Sequence, residues 1–331
     1  MIKKVYYINS NSLIPYENQG LEEYLFRQVN ADELILYLWQ NKRTVVIGRN
    51  QNCWRECRVE ELLADGGYPA RRLSGGGAVF HDLGNLNFTF CVREADYDVA
   101  RQLSVIVAAL QKTGIPAEKS GRNDILAGGR KFSGNAFYHS GSQRYHHGTI
   151  MVDVDMSQLG RYLNPSPAKL AAKGVTSVRS RVINLRELSP ELTVDQLRIL
   201  LIDALGEVYG IKPQELVLDA DDRKKVDNYT QDYRDWDWIY GTQGSGDVTL
   251  EHRFDWGELI LELTLNNGYV EDAVAYSDAM DGDFVLAVGP ALNGSRYEQK
   301  ELISRICAVA NSQPQAEAML LDIGKWLRQA I

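Results

Sequence analysis

The sequence predicts an α+β protein in two parts. Apolar residues recur at the two-residue period of strands and at the period of about 3.6 typical of helices. Through residue 190 these elements interleave without the strict strand-helix-strand rhythm of a parallel α/β sheet. Around residue 193 the pattern changes, and a second, smaller run of strands and then helices begins near residue 246. A length of 331 residues agrees with two domains when a typical domain takes roughly 150 residues.

In chain order, Leu21, Tyr24, Leu25 and Val29 stand at helical spacing, and Leu34–Trp39 and Thr44–Ile47 read as buried strands. Leu86, Phe88, Phe90 and Val92 alternate with Asn87, Thr89 and Cys91, the pattern of a strand with one buried face, which turns Asn87 away from the apolar side. Residues 98–113 read as a helix. Asp124–Ala127, Gly128-Gly129 and Lys131–Tyr138 read as a hairpin. Thr193 and Gln196 form a capping box for a helix that runs to Tyr209 and stops at Gly210. Asp219–Gly246, rich in charge, Trp, Tyr and Gly, reads as an interdomain connection. Strands at 248–254, 258–265 and 269–277, then helices at 296–310 and 315–329, make up the second unit.

Composition narrows the function. The chain has 36 Lys+Arg against 44 Asp+Glu, a net charge of -8, which argues against a nucleic-acid partner. Its apolar runs fall far short of the roughly 20 residues of a membrane helix. The N-terminus passes from a strand-like pattern into polar Asn9–Ser12 without a small-residue cleavage site, so a cytoplasmic location is expected. Cys53, Cys57, Cys91 and Cys307 are too few and too unevenly spaced for a disulfide framework and read as reduced thiols. No second Cys/His pair at zinc spacing joins Cys53 and Cys57.

The densest unusual stretch is Arg71-Arg72-Leu73-Ser74-Gly75-Gly76-Gly77-Ala78-Val79-Phe80-His81-Asp82. Consecutive glycines let backbone N–H groups approach an anion, and paired arginines supply countercharge, so the stretch reads as a phosphate cradle. It is neither a Walker loop nor a dinucleotide-binding fingerprint, since no Gly-Lys-Ser/Thr follows and the glycine spacing is wrong. Taken alone, a flexible surface turn explains it equally well. Gly121-Arg122-Asn123-Asp124-Ile125, Arg130–Ala136, His146-His147-Gly148-Thr149 and Lys173–Ser180 add small, polar and basic groups. Each of these alone has a bland reading as an exposed turn.

Together, RRLSGGGAVFHDLGNLNFTF (71–90), GRNDI (121–125), RKFSGNA (130–136), HHGTI (146–150) and KGVTSVRSRVINL (173–185) resemble, in order, the signatures of the lipoate-protein ligase A family. The resemblance is strong over residues 5–190 and rests on architecture beyond. Asn18–Glu23 departs from the family's NLALEE form at Gln19 and Gly20, which bears on the local shape of the pocket wall.

The resemblance implies the α+β catalytic domain shared by biotin and lipoate ligases, with a mixed, mainly antiparallel sheet and flanking helices, over residues 1–245. A small α+β lid domain over 246–331 would close on the adenylate and reopen for a protein acceptor. The implied reaction activates lipoate with ATP to lipoyl-AMP and then acylates a lysine of an acceptor protein. Lys131 would act between lipoate and the adenylate phosphate. Arg72, Gly77, Ala78, Val79, Phe80, Asn123 and Asp124 would bind ATP and the adenylate, with Asp124 a magnesium ligand. Ser74, Gly75, Gly76, His81, Asn87, His147, Gly148 and Thr149 would line the lipoate site. The implied acceptors are E2 subunits of 2-oxoacid dehydrogenases or the glycine-cleavage H protein, and a monomer is expected.

Two other readings stay open. An octanoyltransferase on the same scaffold would work without ATP through an acyl-cysteine, and Cys91 shares a strand face with Asn87. A non-catalytic lipoate-binding protein would keep the scaffold, but intact Lys131 and glycines speak against it. Lipoate and octanoate differ by two sulfurs at the far end of an apolar tunnel, a difference worth only about 1–3 kcal/mol of packing.

Overall fold

The computed structural model describes residues 1–120, 124–164, 182–241, 247–280, 282–312 and 316–330. The chain divides into two units. The first comprises Met1–Val46, Cys57–Arg71 and Val79–Ile239, and the second Ile47–Glu56, Arg72–Ala78 and Tyr240–Ile331.

The first unit is built on strands β1 (Lys4–Asn9), β2 (Glu33–Trp39), β3 (Thr44–Ile47), β4 (Tyr68–Arg71), β5 (Val79–His81), β6 (Asn85–Arg93), β7 (Ala117–Ser120), β8 (Asp124–Ala127), β9 (Arg130–Ser140), β10 (Gln143–Met151) and β11 (Gln214–Glu215). Eight form one sheet in the order β11-β1-β2-β6-β10-β9-β8-β7, and β4-β3-β5 form a small second sheet. Only β11, β1 and β2 pair in parallel; the other pairs of the large sheet are antiparallel, giving the mixed, mainly antiparallel sheet expected. The helices are α1 (Pro15–Gln28), α2 (Val59–Ala64), α3 (Val99–Gln111), α4 (Met156–Tyr162), α5 (Val194–Tyr209) and α6 (Ala220–Arg234), with a short turn at Trp236–Tyr240.

On one face of the large sheet Leu34, Leu36, Leu38, Leu86, Phe88, Phe90 and Ile150 pack with Leu103, Ile106 and Leu110 of α3 and Leu197, Leu201 and Leu205 of α5. Thr193 and Gln196 cap α5 reciprocally, and Gly210 ends it in the left-handed conformation at φ 67°. The opposite face is covered by α1, on which α6 packs in turn.

That second layer corrects two expectations. Strand β6 is buried on both faces rather than one, because the row Asn87, Thr89 and Cys91 is buried too, with Thr89 bonded to Glu22 of α1. Period-2 alternation marks polarity, and here the polar face is an interior one. The stretch from Asp219 is no simple connection either, since α6, capped by Asp219, docks on α1. Its charged composition hides a contact that needs few apolar groups: a Cβ at Gly20 would stand 2.5 Å from Thr230 Oγ1 and 2.8 Å from Thr230 N, so the two helices meet through a glycine.

The β8–β9 turn is Gly128-Gly129 with φ values of 56° and 74°, the two positive values that a tight hairpin turn matched to strand twist demands. One irregularity follows. Asp124 and Ile125 pair with Gly134 and Ser133, but Leu126 and Ala127 pair with Lys131 and Arg130, leaving Phe132 as an extra residue on β9.

In the second unit, β12 (Val248–Phe254), β13 (Gly257–Asn266) and β14 (Tyr269–Ser277) form an antiparallel meander. Helices α7 (Val285–Leu292), α8 (Gln299–Ser312) and α9 (Glu317–Ala330) bury one of its faces through Leu259, Leu261, Val288, Ile306, Ile323 and Leu327. Helix α7 was not legible in the sequence, because Gly289 and Pro290 interrupt an eight-residue apolar run that shows no helical periodicity.

Candidate active site

The extra residue on β9 decides where Lys131 points. In an unbroken antiparallel register Phe132 would share the face of Asp124, and Lys131 would turn toward the apolar core. The bulge reverses this: Phe132 is fully buried beside Ile125 and Ala127, while Lys131 comes to the face of Asp124. There its Nζ stands 2.7 Å from Asp124 Oδ1, and both side chains are about one-third exposed. The ammonium also lies against Gly134, where a Cβ would meet Nζ at 3.1 Å.

The same sheet face continues as a row of polar groups. Gly134 N–H donates to Thr149 Oγ1 at 3.4 Å, Thr149 pairs with Asn87 across the strands, and His147 pairs with Thr89. Beneath α1, Glu22 Oε1 accepts from the Thr89 hydroxyl at 2.6 Å and from His147 Nδ1 at 2.9 Å, and Trp39 Nε1–H donates to Thr89 at 3.2 Å. The Glu22 oxygen thereby places a proton on His147 Nδ1. One turn earlier on α1, Asn18 accepts from Ser10 and Tyr37 and donates to the Gln40 carbonyl and Asn41 Oδ1. Asn41 contacts His81 Nδ1 at 3.2 Å, and the His81 ring meets Trp39 edge-on at 6.0 Å. Phe80, buried against Tyr162, borders an open depression of about 470 Å³ that Lys42, Arg43, Asp82 and Asp155 also line.

The core side of the same strands holds His146, with Nε2 2.9 Å from Asn135 Oδ1 and Nδ1 3.0 Å from the Gln102 carboxamide. Burial lowers its pKa to about 3, so the ring is neutral. A neutral imidazole has one N–H. Both ring nitrogens face amide oxygens, Gln102 Oε1 and Asn135 Oδ1, so one of the two amides must turn its NH2 to the unprotonated nitrogen.

Arg72, Ser74, Gly75, Gly76, Gly77 and Ala78 belong to the second unit. The Arg72 guanidinium turns into its own loop, donating to Ser74 Oγ at 3.0 Å, the Gly75 carbonyl at 2.7 Å and the Gly77 carbonyl at 2.8 Å. The Gly76 N–H donates to the Ala279 carbonyl at 3.0 Å, and Asn50 ties the neighbouring turn to Gly282 at 2.6 Å. The glycine loop is thus braced by a main-chain bond to Ala279, and the neighbouring turn by a side-chain bond to Gly282.

The structure therefore brings Lys131, Asp124, Asn87, His147 and Thr149 to one face of the first unit, with Gly148 between the last two and His81 beside Trp39. Asn123 and Lys173–Ser180 lie outside the described residues. Glu22 and Trp39 were given no role from sequence. The available signal was a carboxylate four residues after Asn18 on a helix whose apolar residues share that side. Among the described residues no three His, Cys, Asp or Glu side chains gather as a metal site. Cys53, Cys57 and Cys91 are buried and Cys307 is exposed. Burial raises the Cys91 thiol well above its ordinary pKa, the reverse of an activated nucleophile.

The Lys131–Asp124 pair on the sheet and the Arg72-Leu73-Ser74-Gly75-Gly76-Gly77 loop are the features by which the chain resembles an acid-activating acyl ligase. The chain belongs to the lipoyl protein ligase A/B family: the family's catalytic-domain model matches residues 14–206, and the model of the bacterial lipoate protein ligase C-terminus matches 246–327. It is 39% identical over 321 residues, 95% of each chain, to lipoate-protein ligase A of Psychrobacter cryohalolentis. The crystal structure of P. falciparum LipL1 in complex with lipoate superposes at a TM-score of 0.82 with 28% identity, covering 98% of this chain and 99% of that one. A bipartite lipoate protein ligase of Thermoplasma acidophilum, studied with its E2 lipoyl domain, has the same fold at a TM-score of 0.65 and 24% identity, over 75% of this chain and 100% of that one.

Proposed function

We propose that the chain is an ATP-dependent lipoate-protein ligase that forms lipoyl-AMP and passes the acyl group to a lysine of a lipoyl-domain protein. The observation that carries this reading is Lys131, turned by a bulge out of the core and held at 2.7 Å by Asp124 on a polar face. In the first half-reaction a lipoate carboxylate oxygen attacks the α-phosphorus of ATP, the bond to the bridging oxygen breaks, and pyrophosphate leaves. In the second, the neutral amine of the acceptor lysine attacks the acyl carbonyl, AMP leaves with the C–O bonding pair, and the amide forms with loss of a proton. A preorganised ammonium with three donors suits the charge developing on acyl and phosphate oxygens alike. Asp124 orients it before substrate binds.

Arg72, Gly77, Ala78, Val79, Phe80 and Asn123 are assigned to the nucleotide. Ser74, Gly75, Gly76, His81, Asn87, His147, Gly148 and Thr149 are assigned to the acyl group. A single carboxylate, Asp124, suits a magnesium ion whose other ligands are phosphate oxygens and water, and such an ion would neutralise phosphate charge. Residues 1–245 and 246–331 are assigned as catalytic and accessory domains of a cytoplasmic monomer, with E2 subunits or the H protein as acceptors. No helix among the described residues is long and apolar enough to cross a membrane.

The test is ATP–pyrophosphate exchange with lipoate, with octanoate and with neither, in the presence of a lipoyl domain. Exchange that requires an acid is expected, and Cys91→Ala is expected to retain it. Absence of exchange with both acids overturns the reading in favour of acyl-cysteine transfer, which uses no ATP.

A further inference from the structure

Helix α1 carries a group that the assignments above leave unused. Gln19 is 1% exposed, and neither Nε2 nor Oε1 of its carboxamide has a hydrogen-bond partner among the described residues. Native interiors rarely leave both ends of an amide unserved, so such a group points to a ligand or to water. Its position favours a ligand. Gln19 follows Asn18 and precedes Glu22 by three residues, so it shares a helix flank with the carboxylate that holds His147 and Thr89. On the strand beneath, Asn87 is also 1% exposed; its Oδ1 accepts from Asn85, and its Nδ2 has no partner among the described residues. Two orphaned amides thus belong to the layer formed by α1 and the polar face of the sheet. Gln19 is also one of the two places where the chain departs from the NLALEE form.

We propose that Gln19 determines acyl specificity in this layer, its carboxamide favouring the acid that bears ring sulfurs over the plain alkyl acid of the same chain length. The inference rests on the acid-activating reading above. An alkyl chain laid against the carboxamide strips it of water and returns nothing, whereas ring sulfurs offer weak acceptors to Nε2–H. A site with a buried polar group penalises the ligand that leaves it unpaired. Replacement by leucine, the residue of the family form, removes that penalty and should help octanoate more than lipoate.

The experiment is calorimetric titration of lipoate and octanoate, without ATP, into wild type, Gln19→Leu and Gln19→Met. The expected result is a ratio of octanoate to lipoate dissociation constants that falls about tenfold in both variants, chiefly through tighter octanoate binding. An unchanged ratio, or equal changes for both acids, overturns the specificity role while leaving the ligase reading in place. Failure of both acids to bind wild type overturns both. Should Gln19→Leu prove unstable, Gln19→Met alone decides, since its flexible side chain fills the same volume without a strong donor or acceptor.

Discussion

Lys131 and Asp124 form a pair about one-third exposed, and pairs of this kind contribute about 0–1 kcal/mol to stability. Lys131→Ala is therefore expected to melt close to wild type while losing acid-dependent pyrophosphate exchange by on the order of 10²–10³-fold, because developing charge loses its preorganised donor. Exchange at the wild-type rate in a folded variant would remove Lys131 from the chemistry. His146 makes the opposite kind of contribution. Its pKa is depressed from 6.5 to about 3 by burial, so between those values the unfolded chain holds a proton that the folded chain lacks. Stability then rises with pH across this window and is lost as pH falls below 6.5, by up to about 1.4 kcal/mol per unit. His146→Gln should unfold more readily at pH 7.5, yet its urea midpoint should change less than that of wild type between pH 6.5 and 4.5. Parallel pH profiles would show that the ring titrates freely.

At the scale of elements, helix α1 joins the polar face of the sheet on one side to α6 on the other, and Gly20 sets the second distance. Gly20→Ala adds about 1 kcal/mol of helix propensity, but its Cβ would meet Thr230 at 2.5 Å, and overpacking of this kind costs about 1–3 kcal/mol. The net expectation is a lower urea midpoint, and a stabilised Gly20→Ala protein would mean that α6 withdraws at little cost. The hairpin of β8 and β9 was legible from Gly-Gly between two strand patterns, and α5 from its cap and stop. The bulge at Phe132 was not, since Phe132-Ser133-Gly134 has no marker that separates a regular from a bulged strand. Yet the side on which Lys131 stands depends on that one inserted residue.

At the scale of the whole molecule, the two-part organisation was legible because apolar periodicity restarts near residue 246. The excursions of Ile47–Glu56 and Arg72–Ala78 into the second unit were not, because their partners lie some 200 residues along the chain: Gly76 bonds to Ala279, and Asn50 to Gly282. Motifs named the site residues by type and order. Sequence could not show that Glu22 holds His147, since that bond joins residues 125 positions apart. The distribution of sulfur has a practical consequence. With Cys53, Cys57 and Cys91 shut inside and Cys307 exposed on α8, a maleimide dye added to the native protein should settle on one position of the second unit. The wild-type chain thus comes with its own site for a fluorescent reporter on that unit during turnover.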